Sequence, residues 1–313
     1  MTLVFIVGTG RCGSTMVQEM LARHSDVGFI SNVDSKFASL DLLGRQNNSV
    51  YQRTPLRYTQ RDRRRIAGIG ESSESHFGPS EAYRLLEKHV SPVVSAPFRD
   101  LTSEDATPWL EKRFRAVFER RIEAQGKPVF MHKFTGWPRV GFIHKVFPEA
   151  RFVHVVRDGR AVANSLVQRP WWKGYLGTPG WGFGTLPEDY ARIWHESGQD
   201  FVVLAALEWA LLMDAFAAAK KLVPRSQWMD IHYERFVENP RSHVESLFSF
   251  TGLEWTDDFE SRFRRFTFTS GKRDRHHKDL TSKQIKALEE ALGPHLHGLG
   301  YETGTNPVPN LAQ

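Results

Sequence analysis

The sequence predicts an α/β fold, a three-layer sandwich with a parallel central sheet flanked by helices. Three observations predict it. The apolar run Leu3, Val4, Phe5, Ile6 and Val7 has the continuous character of a strand buried on both faces. A turn punctuated by Gly8, Gly10 and Gly13 then leads into a helical pattern from Ser14, with Val17, Met20 and Leu21 on one face. Between residues 128 and 168, strand and helix patterns alternate again, as they do where crossover helices join parallel strands.

The elements follow in order. Asp26–Ile30 is a second short strand. Residues 32–70 are mixed and polar with no clear period, and contain the basic run Arg61, Asp62, Arg63, Arg64, Arg65, a solvated face or an anion contact. Residues 71–78, rich in Ser and Glu, read as loop. Ser80–His89 is a helix capped by Ser80, with Leu85 and Leu86 inward. Trp109–Gln125 is a stronger helix, because Leu110, Phe114, Val117, Phe118 and Ile122 recur at helical spacing. Strand Pro128–Phe134, short helix Pro138–Phe147, buried strand Arg151–Val156 and helix Asp158–Gln168 come next. Residues 169–190 interleave Trp171, Trp172, Tyr175, Trp181, Phe183 and Tyr190 with five glycines. That stretch is either a lid over an acceptor pocket or an aromatic cluster beneath a long loop. Phe201–Leu222 is a long core helix. Glu208 and Asp214 interrupt it, which argues against a membrane span. Strand Trp228–Tyr233, helix Pro240–Thr251 ended by Gly252, and helices Asp257–Phe266 and Ser282–Leu292 complete the pattern. A basic segment, Thr269–Lys278, lies between the last two. Residues 1–302 read as a single domain with insertions near 32–109 and 169–200, and 303–313 as a loose tail rich in Gly, Asn and Pro.

Composition narrows the partners. The chain has 313 residues, a formal net charge of +6 and one cysteine, Cys12. The charge favours anionic ligands, and the lone cysteine excludes an internal disulfide and disfavours a Cys-based metal site. The sequence carries no charged n-region before its first apolar run, so a cytoplasmic setting without a transmembrane segment is expected.

A buried strand, a glycine-rich turn and a helix start form an anion cradle, with backbone N–H groups and the helix dipole favouring negative charge. Gly8 and Gly13 have the G-x-x-x-x-G spacing of a Walker A loop, but Ser14 stands where that motif needs Lys, and the cation sits at Arg11. The loop is therefore P-loop-like without being an ATPase loop. Arg11-Cys12-Gly13-Ser14-Thr15 resembles the 5′-phosphosulfate loop of sulfotransferases that use 3′-phosphoadenosine 5′-phosphosulfate (PAPS). Two further segments agree in order and context. Arg157 and Ser165, on and after the turn that follows a buried strand, have the Arg–seven residues–Ser spacing with which that family reads the cofactor's 3′-phosphate. Tyr233-Glu234-Arg235-Phe236-Val237-Glu238-Asn239-Pro240 is similar to its Y-E-D-x-x-x-N-P element, whose Tyr lies near adenine.

The resemblance implies a nucleotide-dependent transferase. It would move a sulfuryl group from PAPS to a hydroxyl or amine of a small-molecule, glycan or lipid acceptor, releasing 3′-phosphoadenosine 5′-phosphate (PAP), with no metal and no nucleic acid. It implies a cofactor site of Gly10, Arg11, Cys12, Gly13, Ser14, Thr15, Arg157, Ser165 and Tyr233. Lys272 and Arg273 would close over the 3′-phosphate. Arg11 would neutralise the leaving phosphate, and Lys133 would contact the transferred group. Cytosolic members place a His base where Thr135 stands and an adenine-stacking Trp where Met16 stands, so the resemblance leans to the bacterial and tyrosyl-protein branch. The tyrosyl-protein enzymes have an acidic base soon after the first helix; their Glu-Glu position falls near Ser31-Asn32, where this sequence does not meet the pattern. The nearest acid is Asp34, which is the expected general base, with His132 as the alternative on the opposite strand face from Lys133. The rival readings are an ATP-dependent small-molecule kinase and a non-catalytic basic binding module. Neither acceptor nor oligomeric state is legible.

Overall fold

A computed structural model of the chain describes residues 1–53, 77–266, 268 and 275–303. Five strands form one sheet: β1 (Thr2–Gly8), β2 (Val27–Phe29), β3 (Val129–Thr135), β4 (Arg151–Val156) and β5 (Trp228–His232). Their order is β2-β3-β1-β4-β5, and every pair is parallel. The first strand made is thus the central one, which explains why its residues from Leu3 to Gly8 are all buried. Its register sets Ile6 beside Lys133 and Gly8 beside Thr135.

Side-chain alternation divides β1 between two cores. Leu3, Phe5 and Val7 pack with Phe130, Phe134 and Phe152 under the helices Pro108–Gln125, Val140–Val146, Phe201–Ala219 and Ser282–Gly298. Val4 and Ile6 pack on the other face with Met131, Val153 and Val155 under Ser14–Ala22, Pro240–Thr251 and Asp257–Phe263. These are the three expected layers. The helical segment Phe201–Leu222 is long and apolar enough to cross a membrane, but it lies among the sheet-covering helices with Val203, Leu204, Ala206, Leu207 and Trp209 buried. Aromatic contacts around Phe5, Phe114 and Phe118 fill the core where the helices Pro108–Gln125 and Val140–Val146 meet the sheet.

Several boundaries differ from expectation for local reasons. The helix expected from Ser80 begins at Tyr83, because Ala82 takes a left-handed backbone (φ 50°) and the Ser80 hydroxyl caps only as far as the Ala82 N–H. Residues 32–53 hold two helices, Asn32–Lys36 and Asn47–Arg53, where no period was legible. The last helix runs on to Gly298, past Pro294, because Leu296 is buried in the main core. The aromatic stretch contains the short helices Thr178–Trp181 and Glu188–Glu196. Trp181, Leu186 and Trp194 form a satellite cluster against Val203, Leu204 and Leu207, whereas Trp171 and Tyr175 are exposed. The basic run 61–65 and the tail from 304 lie outside the described residues.

Candidate active site

The loop at the carboxyl end of β1 is built by backbone conformations that few side chains adopt. Gly10, Arg11 and Gly13 all have positive φ, 80°, 54° and 98°. Glycine takes this region freely, whereas Arg11 adopts it at a cost of about 1–2 kcal/mol, strain that its surroundings must hold in place. A Cβ at Gly13 would overlap the ring of Tyr233, and one at Gly8 would meet Cys12 Sγ at 2.6 Å. The two positions are glycine because Tyr233 and Cys12 occupy the space. Cys12 is fully buried beneath the loop, so only its backbone can face a ligand. Ser14, at the first turn of the helix Ser14–Ala22, is also buried, and Thr15 beside it is exposed.

The three motif segments meet here. Arg11 Nε donates to Ser165 Oγ at 3.0 Å, and Arg157 Nη1 donates to the Arg11 carbonyl at 3.0 Å. The Arg157 guanidinium lies 4.5 Å from the centroid of the Tyr233 ring, a cation–π stack that fixes its plane. Loop, Arg157–Ser165 turn and Tyr233 are therefore one cluster, although 222 residues separate Arg11 from Tyr233.

The start of the helix Gly159–Val167 is clamped. Asp158 caps it, accepting from the Arg160 N–H at 2.8 Å, and pairs with the Arg160 guanidinium at 2.8 Å. Arg160 also pairs with Glu289 at 2.8 Å. Glu234, next to Tyr233, accepts from the Asp158 N–H at 3.1 Å and from the Tyr301 hydroxyl at 3.0 Å. Burial raises the Glu234 carboxyl, against the pull of these donors. Further along, Asn164 and Gln168 donate to Asp279, which also pairs with Arg275 at 3.0 Å. The end of the basic segment thus docks on the helix that carries Ser165. Lys272 and Arg273 lie outside the described residues.

Lys133 closes the other side. Its Nζ donates to Thr15 Oγ1 at 2.9 Å and pairs with Glu81 Oε1 at 2.9 Å. Thr135 Oγ1 donates to Glu81 Oε2 at 3.0 Å and lies 3.2 Å from Tyr83 Oη. Burial pushes the Glu81 carboxyl up, but Lys133 and the donors Tyr83 and Thr135 outweigh it and hold it below the usual carboxylate range. His132 points into the opposite core among Phe5, Phe118 and Phe134, and burial pushes its imidazole down to about 3.

Asp34 occupies a different setting from the one expected of a base. It is buried, and its Oδ2 accepts from the Ser31 N–H at 2.7 Å, from Ser31 Oγ at 2.9 Å and from Asn47 Nδ2 at 2.6 Å. This is a capping box that starts the helix Asn32–Lys36, and Ser31-Asn32-Val33-Asp34 has the spacing that announces one. None of these bonds reaches the loop. The sequence reading places Glu81 inside a helix Ser80–His89, and no local pattern marks its pairing with the distant Lys133.

Chemically, the arrangement suits a polyanion. Two guanidinium groups, an ammonium, hydroxyls and the N–H groups of a strained helix-entry loop converge at the carboxyl edge of a parallel sheet. A nucleotide with phosphate groups at two positions fits that donor set. A sequence model of the sulfotransferase family matches residues 4–257. Protein-tyrosine sulfotransferase 1 of Danio rerio is 23% identical over 261 residues, 82% of this chain and 55% of its own length. The chain spans about half the length of the curated relatives it matches. Sulfotransferase STF9 from Mycobacterium avium superposes with a TM-score of 0.55 at 14% identity, over 97% of this chain and 78% of that one. Sulfotransferase STF1 from Mycobacterium tuberculosis gives 0.53 at 15%, over 94% and 76%. At these identities the two structures show a shared fold.

Proposed function

The chain belongs to the sulfotransferase family, and from that premise we propose that it transfers a sulfuryl group from PAPS to a hydroxyl or amine acceptor. The observation that carries the reading is the joining of Arg11, Ser165, Arg157 and Tyr233 into one cluster around the loop. These are the residues that a 5′-phosphosulfate, a 3′-phosphate and an adenine would each require. PAPS supplies an activated sulfuryl group on a phosphate leaving group. The chain's part is placement and charge stabilisation, by analogy with phosphoryl transfer. The loop N–H groups, Ser14 and Thr15 hold the 5′-phosphate. Arg11 offsets negative charge as it grows on the bridging oxygen. Arg157 and Ser165 bind the 3′-phosphate, and Tyr233 lies against the base. Lys133, bonded to Thr15, would contact the transferred group. In this proposal Lys272 and Arg273, which lie outside the described residues, would bind the 3′-phosphate as the family resemblance implies.

The acceptor in this proposal is a small molecule, glycan or lipid. Trp171, Tyr175 and Leu176, exposed on the segment that follows the Ser165 helix, favour an acceptor with an apolar part. Calorimetric titration with PAP, adenosine 5′-phosphosulfate and ATP with Mg²⁺ tests the cofactor. The expected order is PAP well ahead of the other two. Tighter binding of ATP with Mg²⁺ would replace the reading with a kinase. Binding without a 3′-phosphate preference and with a steep salt slope would replace it with a basic binding module.

A further inference from the structure

We propose that Glu81, and not Asp34, is the general base that accepts the acceptor's proton, an inference that rests on the sulfotransferase reading of the site. Three independent features point to it. The first is position. Glu81 joins the loop through one intermediary, since Lys133 Nζ is 2.9 Å from both Glu81 Oε1 and Thr15 Oγ1. Its other oxygen is held by Thr135, the residue paired with Gly8 where the loop begins.

The second feature is the route by which the acid arrives. Ser31 and Pro79 form an antiparallel bridge, with the Asn32 N–H donating to the Gly78 carbonyl at 2.9 Å and the Ser80 N–H donating to the Ile30 carbonyl at 2.8 Å. Residues 78–80 are thus hung on the end of β2, and Glu81 follows directly. The carboxylate reaches the rim of the sheet beside β2 from a separate piece of chain, while Asp34 is consumed in capping.

The third feature is strain. Ala82 is buried and held at φ 50°, ψ 33°. An alanine gains nothing from that conformation, which costs about 1–3 kcal/mol where it occurs, and such residues cluster at functional sites. Here the kink separates Glu81 from the helix Tyr83–His89, so that Glu81 turns toward Lys133 rather than continuing along a helix surface. Glu81 nevertheless keeps about a quarter of its side chain exposed, 26%, against 6% for Lys133.

The step balances without a redox partner. The acceptor oxygen forms a bond to sulfur as the bond from sulfur to the bridging phosphate oxygen breaks, and that electron pair stays on the 5′-phosphate of PAP. The acceptor proton passes to a Glu81 oxygen and then to water. The groups that bear on Glu81 are the Lys133 ammonium and the Thr135 hydroxyl from β3 and the Tyr83 hydroxyl from the helix that follows, with Arg139 and His132 further off. Together they keep Glu81 ionised at neutral pH, as a base must be.

The test compares wild type, Glu81→Gln, Glu81→Ala and Asp34→Asn. Labelled PAPS supplies the sulfuryl group, with naphthol, dodecanol and methyl glucoside as acceptors and water always present. Glu81→Gln is expected to bind PAP within about threefold of wild type, to lose about 10²–10⁴-fold in transfer and to lose the acidic limb of the pH–rate profile. Formate added to Glu81→Ala should restore at least about tenfold of the lost rate, which a residue that only positions Lys133 would not allow. A readout independent of turnover is the carboxyl carbon NMR resonance that disappears in Glu81→Gln. It should shift when PAP binds to wild type. Glu81→Gln with near-wild-type transfer, or a large loss in Asp34→Asn alone, would overturn the assignment and leave the sulfotransferase reading intact. A wild type that neither binds PAP nor releases label from PAPS would overturn both.

Discussion

Replacing Glu208 by Gln should make the protein more resistant to alkaline destabilisation, and the size of the effect follows from where Glu208 sits. It lies in the middle of the helix Phe201–Ala219, buried, and its Oε2 accepts one hydrogen bond, from Trp172 Nε1 at 3.0 Å. Burial, opposed only by that bond, pushes the carboxyl from its ordinary 4.5 up to about 8. In the unfolded chain it titrates near the ordinary value. Between about pH 4.5 and 8 the native state therefore holds a proton that the unfolded state has released, so stability falls as pH rises through that window and levels off above it. The gap of roughly three and a half pH units corresponds to at most about 5 kcal/mol, and about 2–4 kcal/mol once local relaxation is allowed. Glutamine keeps an acceptor for Trp172 but has no proton to lose. It adds a buried NH₂ group, which costs about 1–3 kcal/mol at every pH unless partnered. Urea unfolding at about pH 5, 7 and 8.5 separates the constant offset from the pH-dependent part. The variant should gain about 2–4 kcal/mol relative to wild type from the lowest to the highest pH. Parallel stability–pH curves would refute the reasoning and mean that Glu208 is ionised in the native state. Because Trp172 opens the aromatic stretch beside the site, the same titration should loosen that stretch in wild type alone, visible as tryptophan fluorescence.

The cofactor cluster gives sharper functional expectations. Arg157→Ala and Ser165→Ala should each weaken PAP binding by about 1.5–3 kcal/mol while sparing adenosine 5′-phosphosulfate, measured by calorimetry; equal losses for both ligands would make the two residues structural. Arg11→Ala should lower turnover more than PAP affinity, because the charge it offsets grows in the transition state, and Arg11→Lys should retain much of the rate in a single-turnover assay. Arg160→Met should lower stability by about 3–5 kcal/mol in urea unfolding, since it removes the guanidinium that pairs with the buried carboxylate of Asp158.

Local pattern carried the sheet but not the rim of the site. Strand Arg151–Val156 and helix Pro240–Thr251 were legible to the residue, because apolar continuity or helical spacing coincides there with clear stops. The opposite faces of His132 and Lys133 followed from strand alternation alone. The three motif segments that meet around the loop were legible because the residues within each are close in sequence. The surroundings of Asp34 and Glu81 were not. Ser31-Asn32-Val33-Asp34 carries a capping pattern, which was the available signal that Asp34 belongs to a helix start. Glu81 has no local mark at all, because its environment is made by β3 and by an antiparallel bridge to the end of β2. The short helices within 32–53 and 174–196 escaped notice for a similar reason. Pieces of three to nine residues draw their stability from tertiary packing rather than from their own periodicity.

The clamp on the Arg157 turn has a consequence for biosynthesis. Arg11 and Lys133 are translated early, but the turn that completes their cluster is braced by Glu234, Glu289 and Tyr301. A ribosome-bound chain can pair β1, β3 and β4 before those braces emerge. Until then the Asp158 N–H lacks Glu234 and the Arg160 guanidinium lacks Glu289. Truncations that spare every motif residue but remove Tyr301 would take one donor from Glu234 and so weaken its hold on the Asp158 N–H.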